Sequence, residues 1–385
     1  MKCPISIYLI VIVSLPLLAG PFDEFAVSPS DNLQEMPDIN GDIVVWQEYW
    51  TQYQDYDIFA LDIMDASASE FFLSWDVDQI NPKIYDTWVV FQDNYYGDDD
   101  QDVILLDISD PENLIAYDIA NSTDNEICPD IHGNTIVFQS NSGTAEVPNW
   151  DIAAADIVEP NNASLFYVDT TEANQTFPAI YRDSIVYDES YAETPDLHDI
   201  WTVDIWLQND FQYENPVSDI DVDELAPAIF DHLLVWQELT SAGNQDIYLM
   251  DLSQEGAEKR AITTNPANQI NPDISRHLIV WQDDRAGNWD IYGYNLVTGQ
   301  EFAITTDPSD QTDPAVSGNL VVWADMRDGV SNIYAAELTG AAVAECSMPL
   351  PGDTDGNCQV NMADFANLAE SWLLCNLEPE EACNN

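Results

Sequence analysis

Short runs of consecutive apolar residues, each closed by an aromatic side chain, recur along the chain. Ile43–Trp46 reads IVVW and Leu278–Trp281 reads LIVW. Apolar residues at consecutive rather than alternating positions mark a strand covered on both faces. The closing aromatics are Trp46, Phe91, Phe138, Tyr187, Trp236, Trp281 and Trp323. Side chains of that size supply the buried area between stacked sheets. A polar hairpin follows each run, and then Asp57, Asp102, Asp151, Asp199, Asp246, Asp290 or Asn332 opens another strand.

A proline sets the period. It recurs at Pro37, Pro82, Pro129, Pro178, Pro227, Pro272 and Pro314, with spacings of 45, 47, 49, 49, 45 and 42 residues. A strand-rich repeat of that length predicts the blades of a β-propeller. Each proline is expected at the start of an inner strand, where one missing N–H donor is tolerated. Three residues before it stands Gln34, Gln79, Glu126, Gln175, Glu224, Gln269 or Gln311. This ring is expected near one mouth of the central channel. It could hold a polar ligand, or each side chain could hydrogen-bond the neighbouring blade.

The seventh copy lacks its fourth strand. Glu24-Phe25-Ala26-Val27 reads like Glu301-Phe302-Ala303-Ile304, and both lead into Gln-x-x-Pro. The segment near Phe25 to Ser28 is therefore predicted to complete the seventh blade and remove the free edge. The Gln-x-x-Pro-x-Ile, Val-Val-Trp-Gln-Asp and Asp-Ile-Tyr-x-x-Asp-Leu sequences resemble the TolB-like propeller repeat. The resemblance covers about residues 22–340. It implies an all-β, seven-bladed propeller closed by an N-terminal strand. Relatives of this repeat include interaction platforms, peptidase-associated propellers and polysaccharide lyases, so it implies little about function.

Composition changes the picture in one direction. The chain has 385 residues, and its 71 acidic residues face 8 Lys plus Arg, a formal charge of −63. Such a surface repels nucleic acid and anionic membranes and suits cations or high salt. Residues 1–20 read as an export signal: Lys2, an apolar run from Ile5 to Leu18, then Ala19 and Gly20. The expectation is a secreted or cell-envelope (periplasmic) monomer with no membrane span once the signal is removed.

Four of the six cysteines, Cys346, Cys358, Cys375 and Cys383, crowd the end of the chain. Cys128 stands apart and reads as a buried apolar residue. Residues 353–364, DTDGNCQVNMAD, have the ligand spacing of a calcium loop: Asp353, Asp355, Asn357, Gln359, Asn361 and Asp364. An amphipathic helix follows, with Phe365, Leu368, Trp372 and Leu373 on one face. The stretch resembles one half of a type I dockerin. It departs at Cys358, where the motif has glycine, and in having one loop instead of two. The resemblance implies Ca2+ and a cohesin-like or other cell-envelope protein as partner, with a polysaccharide as the alternative partner. A linker is placed at 341–352 and the module at 353–385. A direct bond from Cys358 to Cys375 would have to cross a helix of about 18 Å. The stretch from Asp353 back to Cys346 spans up to ~24 Å and can run beside that helix. The predicted pairs are therefore Cys346–Cys375 and Cys358–Cys383.

Catalytic signals are sparse. No nucleophile elbow, zinc-protease motif or phosphate loop occurs. His132, His198, His232 and His277 fall in different blades, which argues against a histidine metal site. Asp93 to Asp102 packs Asp98, Asp99, Asp100 and Asp102 into one hairpin, either as a calcium site or as a solvated loop. Arg285 and Arg327 are expected to bond their own Asp-rich turns. The leading expectation is a non-catalytic binding and assembly protein, its propeller an interaction platform in a polysaccharide-degrading system. The rival is a carbohydrate-active lyase or hydrolase with an acidic site at the channel mouth. A purely structural surface protein is the third reading.

Overall fold

The computed structural model describes residues 22–343 apart from 66–69, 74–76, 95–100, 112, 121, 123, 142, 144–148, 192–193, 206–210, 215–221 and 254–256. Residues 1–20 and 353–364 lie outside that range, as do Cys346, Cys358, Cys375 and Cys383.

Seven four-stranded antiparallel sheets account for all the strands among the described residues. Their inner strands are Leu33–Asn40, Gln79–Tyr85, Asn125–His132, Asn174–Tyr181, Glu224–Phe230, Gln269–Ser275 and Gln311–Ser317. These define blades 1 to 7. Two short 3-10 turns, Pro160–Asn162 and Gly340–Val343, are the helical elements among the described residues.

The core is divided among the seams. Seven clusters of buried apolar residues each join two consecutive blades. The seven closing aromatics are all less than 2% exposed. In blade 6 the Trp281 indole donates to Asp283 at 3.2 Å, and in blade 7 Trp323 donates to Asp325 at 2.8 Å.

The ring closes as the repeat predicts. Glu24–Ala26 pairs with the third strand of blade 7, Asn332–Glu337, and supplies its fourth strand. The match to blade 6 is residue for residue. Ala26 faces Tyr334 as Ala303 faces Tyr292, and Glu24 faces Ala336 as Glu301 faces Tyr294. The charges follow: Arg285 binds Glu301 at 2.5 Å, and Arg327 binds Glu24 at 2.5 Å.

The prolines correct the expectation placed on them. They sit inside the inner strands, at a bulge, and not at the strand start. In blade 1 the pairing runs Glu35 to Gln47 and then Asp38 to Val45, so one residue is extra; every other blade slips at the same place. The extra residue precedes the proline and adopts φ between 49° and 54° in all seven blades. A bulge already interrupts the ladder, so a residue without N–H fits there. The freed N–H of the left-handed residue turns to the preceding blade. Asn81, Cys128, Phe177, Asn271 and Asp313 donate to Gln47, Gln92, Gln139, Gln237 and Gln282 at 2.8 to 3.0 Å. Between blades 4 and 5 the Asp188 carboxylate takes the N–H of Ala226 instead.

Candidate functional site at the propeller axis

The bulge decides which side chains see the axis. One extra residue inverts strand parity, so side chains before it and after it face opposite ways. The Gln/Glu ring lies on the far side of the bulge from the residues that follow the proline. All seven members are 0 to 3% exposed, and none lines the central cavity. The amide of Gln34 donates to Ser28 O at 2.8 Å, and its oxygen accepts the Ile333 N–H of blade 7 at 2.9 Å. Gln175, Gln269 and Gln311 donate to the carbonyl two residues upstream at 2.7 to 2.9 Å, and Gln79 does the same to Val77. Glu126 accepts from Ser122 and Glu224 from Lys259. The ring is therefore built into the seams and does not face the channel.

The channel is lined by the residues just before and just after the prolines, around a cavity of about 410 Å³. The layer one residue after the prolines is Asp38, Lys83, Asp130, Ala179, Ala228, Asp273 and Ala315. Each of the three aspartates clasps the next blade through the N–H two residues after its proline. Ile84 donates to Asp38 at 2.8 Å, Ile180 to Asp130 at 2.8 Å and Val316 to Asp273 at 2.7 Å. Lys83 cannot accept such a bond. Its Nζ instead lies 3.6 Å from Asp38 Oδ1, and 44% of its side chain remains accessible because it faces the open channel.

These groups sit inside the ring, and their neighbours there set their charge. The Asp38 carboxylate holds Lys83 protonated, helped by Asp130 and Asp273. Burial pushes the Asp130 carboxyl up to about 6 and the Asp273 carboxyl up to about 7. Both can therefore carry a proton near neutral pH. Asp313, in the layer before the prolines, is also raised by burial. Cys128, expected to be a core residue, is half-buried and lines this channel in the left-handed position before Pro129. The surroundings push its thiol up to about 11, so it stays protonated.

The next layer lies three residues after the prolines. In blades 2 to 5 it is a stack of rings: Tyr85 to His132 at 4.4 Å, His132 to Tyr181 at 4.5 Å and Tyr181 to Phe230 at 4.6 Å. In blades 6, 7 and 1 it is Ser275, Ser317 and Asn40, each accepting an N–H from the turn of the next blade. Burial lowers His132 to about 4, so the ring stack is uncharged at neutral pH.

The remaining candidates fall elsewhere. Asp102 is buried at the start of its strand, and Asp98, Asp99 and Asp100 lie outside the described residues. Arg285 and Arg327 stack on Tyr292 and Tyr334 at 4.2 and 4.3 Å and bind Asp283 and Asp325 at 2.6 Å. Among the described residues, no group of three or more His, Cys, Asp or Glu is placed to hold a metal ion. The axis residues Asp38, Lys83, Asp130 and Asp273 were missed by sequence reasoning. Their signal was irregularity: one position alternates Asp, Lys and Ala inside a repeat that is otherwise constant.

No family model and no curated protein matches the sequence. The solved structures that match do so by fold. A puromycin-hydrolysing peptidase of Mycobacterium tuberculosis is 14% identical with a TM-score of 0.63, over 83% of this chain and 55% of that one. The β-propeller domain of the Trilobed protease from Pyrococcus furiosus, described as an open velcro, is 12% identical with a TM-score of 0.60, over 85% and 99%. An oligogalacturonate lyase in complex with manganese is 11% identical with a TM-score of 0.61, over 85% and 96%. This chain spans about half the length of the peptidase, and it differs from the open velcro in closing its last blade. At these identities the likeness establishes a seven-bladed propeller resembling the propeller domains of prolyl and acylaminoacyl peptidases. It also overturns the expectation of a non-catalytic binding and assembly protein, because the neighbours are peptidases and lyases. The rival expectation, an enzyme with an acidic site at the channel, fits them better.

Proposed function

We propose that the protein is a carbohydrate-active enzyme that cleaves glycosidic bonds in its central channel by acid–base catalysis. The observation that carries this reading is the pair of protonatable carboxyls, Asp130 and Asp273, in the same axial layer as a lysine that Asp38 holds charged. A carboxyl raised toward neutral pH can hand a proton to a leaving glycosidic oxygen. A fixed ammonium can steady negative charge that develops on the substrate. The cavity has the volume of a small-ligand site. The match to oligogalacturonate lyases runs over 96 to 98% of their length, against about half of the puromycin-hydrolysing and acylaminoacyl peptidases, and so favours a saccharide over a peptide. Under the same proposal the enzyme acts outside the cytoplasm, exported by residues 1–20. A calcium-stapled, dockerin-like segment at 353–385 then ties it to a polysaccharide-degrading system.

The test is release of reducing ends from a panel of neutral and acidic polysaccharides, with ultraviolet absorbance to reveal the unsaturated ends that elimination leaves. Wild type should cleave at least one, and Asp130→Asn or Asp273→Asn should lower the rate by roughly 10²- to 10⁴-fold. No cleavage of any glycan by the wild type, or full activity in both variants, would sink the proposal.

A further inference from the structure

The bulge holds the residue before each proline in the left-handed region. Asn81, Asn271 and Asp313 suit that region, and Cys128 and Ala226 are small. Blades 1 and 4 place Met36 and Phe177 there, whose bulk the backbone does not favour, and such strain persists where it serves a site. Met36 is 41% exposed and Phe177 56%, and both line the central cavity. Among the described residues no other large apolar side chain that lines it is as exposed. Blades 1 and 4 are as far apart as a ring of seven allows, so the two residues stand on opposite sides of the channel. No residue of the ring stack lines the cavity, so a ligand reaches the carboxyl layer from the end where Met36 and Phe177 stand. Phe177 also belongs to an apolar wall. In blades 4 and 5 both layers of the lining are apolar, with Phe177 and Ala226 before the prolines and Ala179 and Ala228 after them. Asp130 in blade 3 and Asp273 in blade 6 bound this wall on either side. One arc of the cavity therefore offers only C–H groups, and the rest offers carboxyls, amides and the Lys83 ammonium.

We propose that Phe177 is the platform on which one pyranose ring of a neutral saccharide lies by its C–H face, with Met36 across from it and the ring edge turned to Asp130 and Asp273. The ligand that fits this lining is apolar on a face and polar at its rim. A pyranose has that form, because its axial hydrogens pack on an aromatic ring while its hydroxyls point outward. A wholly apolar ligand would strip water from the carboxyls and from Lys83 and return no hydrogen bond. The thioether of Met36 adapts to the shape of the ring it meets. Asp38, Asp130 and Asp273 outnumber Lys83 in the carboxyl layer, and the chain carries a formal −63, so an acidic sugar is disfavoured. The inference rests on the proposed saccharide activity for its substrate class, and it adds the residue that decides which face of the sugar is held.

The experiment is calorimetric titration of the full chain with cellopentaose, xylopentaose, mannopentaose, the trimer of galacturonic acid and cyclohexanol. The protein carries Asp273→Asn so that no probe is cleaved, and it is compared with and without Phe177→Ala. Blade 5 already holds alanine at the equivalent position, Ala226, so the melting temperature should stay unchanged. At least one pentaose should bind, and Phe177→Ala should weaken it by roughly 10- to 100-fold. Phe177→Trp should restore the binding. No pentaose bound, equal binding to the alanine variant, or tighter binding of the uronate or of cyclohexanol than of every pentaose would each overturn the inference. In protein with Asp273 intact, Phe177→Ala should raise KM more than it lowers kcat. Cleavage of a glycan with KM unmoved by Phe177→Ala would overturn the platform and leave the proposed activity standing. Pentaose binding that depends on Phe177, with no glycan cleaved, would do the reverse.

Discussion

The seams between blades and the channel at the axis are built from the same strands, yet they follow opposite rules. In the seams a position is filled the same way in nearly every copy: the closing aromatic, the Gln/Glu before the proline, the Gln that takes the next blade's N–H. In the channel the position after the proline reads Asp, Lys, Asp, Ala, Ala, Asp, Ala. A seam residue answers to blade geometry, which is alike seven times over. A channel residue answers to whatever occupies the axis, and one occupant does not have sevenfold symmetry. In a repeat fold, therefore, constancy points to architecture and irregularity points to chemistry.

The largest test of this contrast is a seam aromatic against a channel carboxylate. Trp281→Ala empties a fully buried site in the cluster that joins blades 5 and 6. It should destabilise the fold by about 3–5 kcal/mol, read as a large drop in melting temperature. Asp273→Asn should leave the melting temperature almost unmoved. A seam aromatic that can be removed without effect would erase the distinction.

A smaller effect is expected at the inter-blade clasp. Gln282 accepts from Asp313 N–H at 3.0 Å and from the Asn271 amide at 3.2 Å. Gln282→Ala leaves a buried N–H without its acceptor and should lower stability by about 1–3 kcal/mol in denaturant titrations. The seam from blade 7 to blade 1 has Ala324 where five others have this amide and one has a carboxyl, so that seam should be the first to exchange its amide hydrogens.

Much of this was legible in the sequence, and the failures share one cause. The blade count followed from the proline period, and the closing strand from the copy of Glu301–Ile304 at Glu24–Val27. Those signals are repetitive, and repetition survives without knowledge of side-chain direction. The bulge does not announce itself in the same way. It put Pro37 and its six equivalents inside their strands, and it turned Gln34 and its equivalents from the channel into the seams. A single extra residue reverses a period-2 pattern, and alternation alone cannot reveal it. Asp38, Lys83, Asp130 and Asp273 stayed hidden because attention to what recurs passes over what varies.

The seam between blades 4 and 5 departs from the rule in its own way, and it sharpens the comparison most finely. Between blades 4 and 5 the clasp is Asp188, a carboxyl in the place of an amide. It accepts from the Ala226 N–H and from the Thr176 hydroxyl, and His198 and Asp223 act on it from the third strand and the loop beyond. Burial pushes it up to about 7, from an ordinary value of 3.8. A carboxyl raised in the folded state favours the fold when protonated. The stability it contributes is therefore present at low pH and is lost as pH rises from about 4 to about 7. Between pH 5 and pH 8 the loss should be of order 2 kcal/mol. Asp188→Asn keeps the acceptor and removes the titration. It should raise the melting temperature at pH 8, leave it nearly unchanged at pH 5, and flatten the slope between them. The same slope in the variant as in the wild type would show that this seam behaves like the others and that the pH dependence belongs to the carboxyls of the channel.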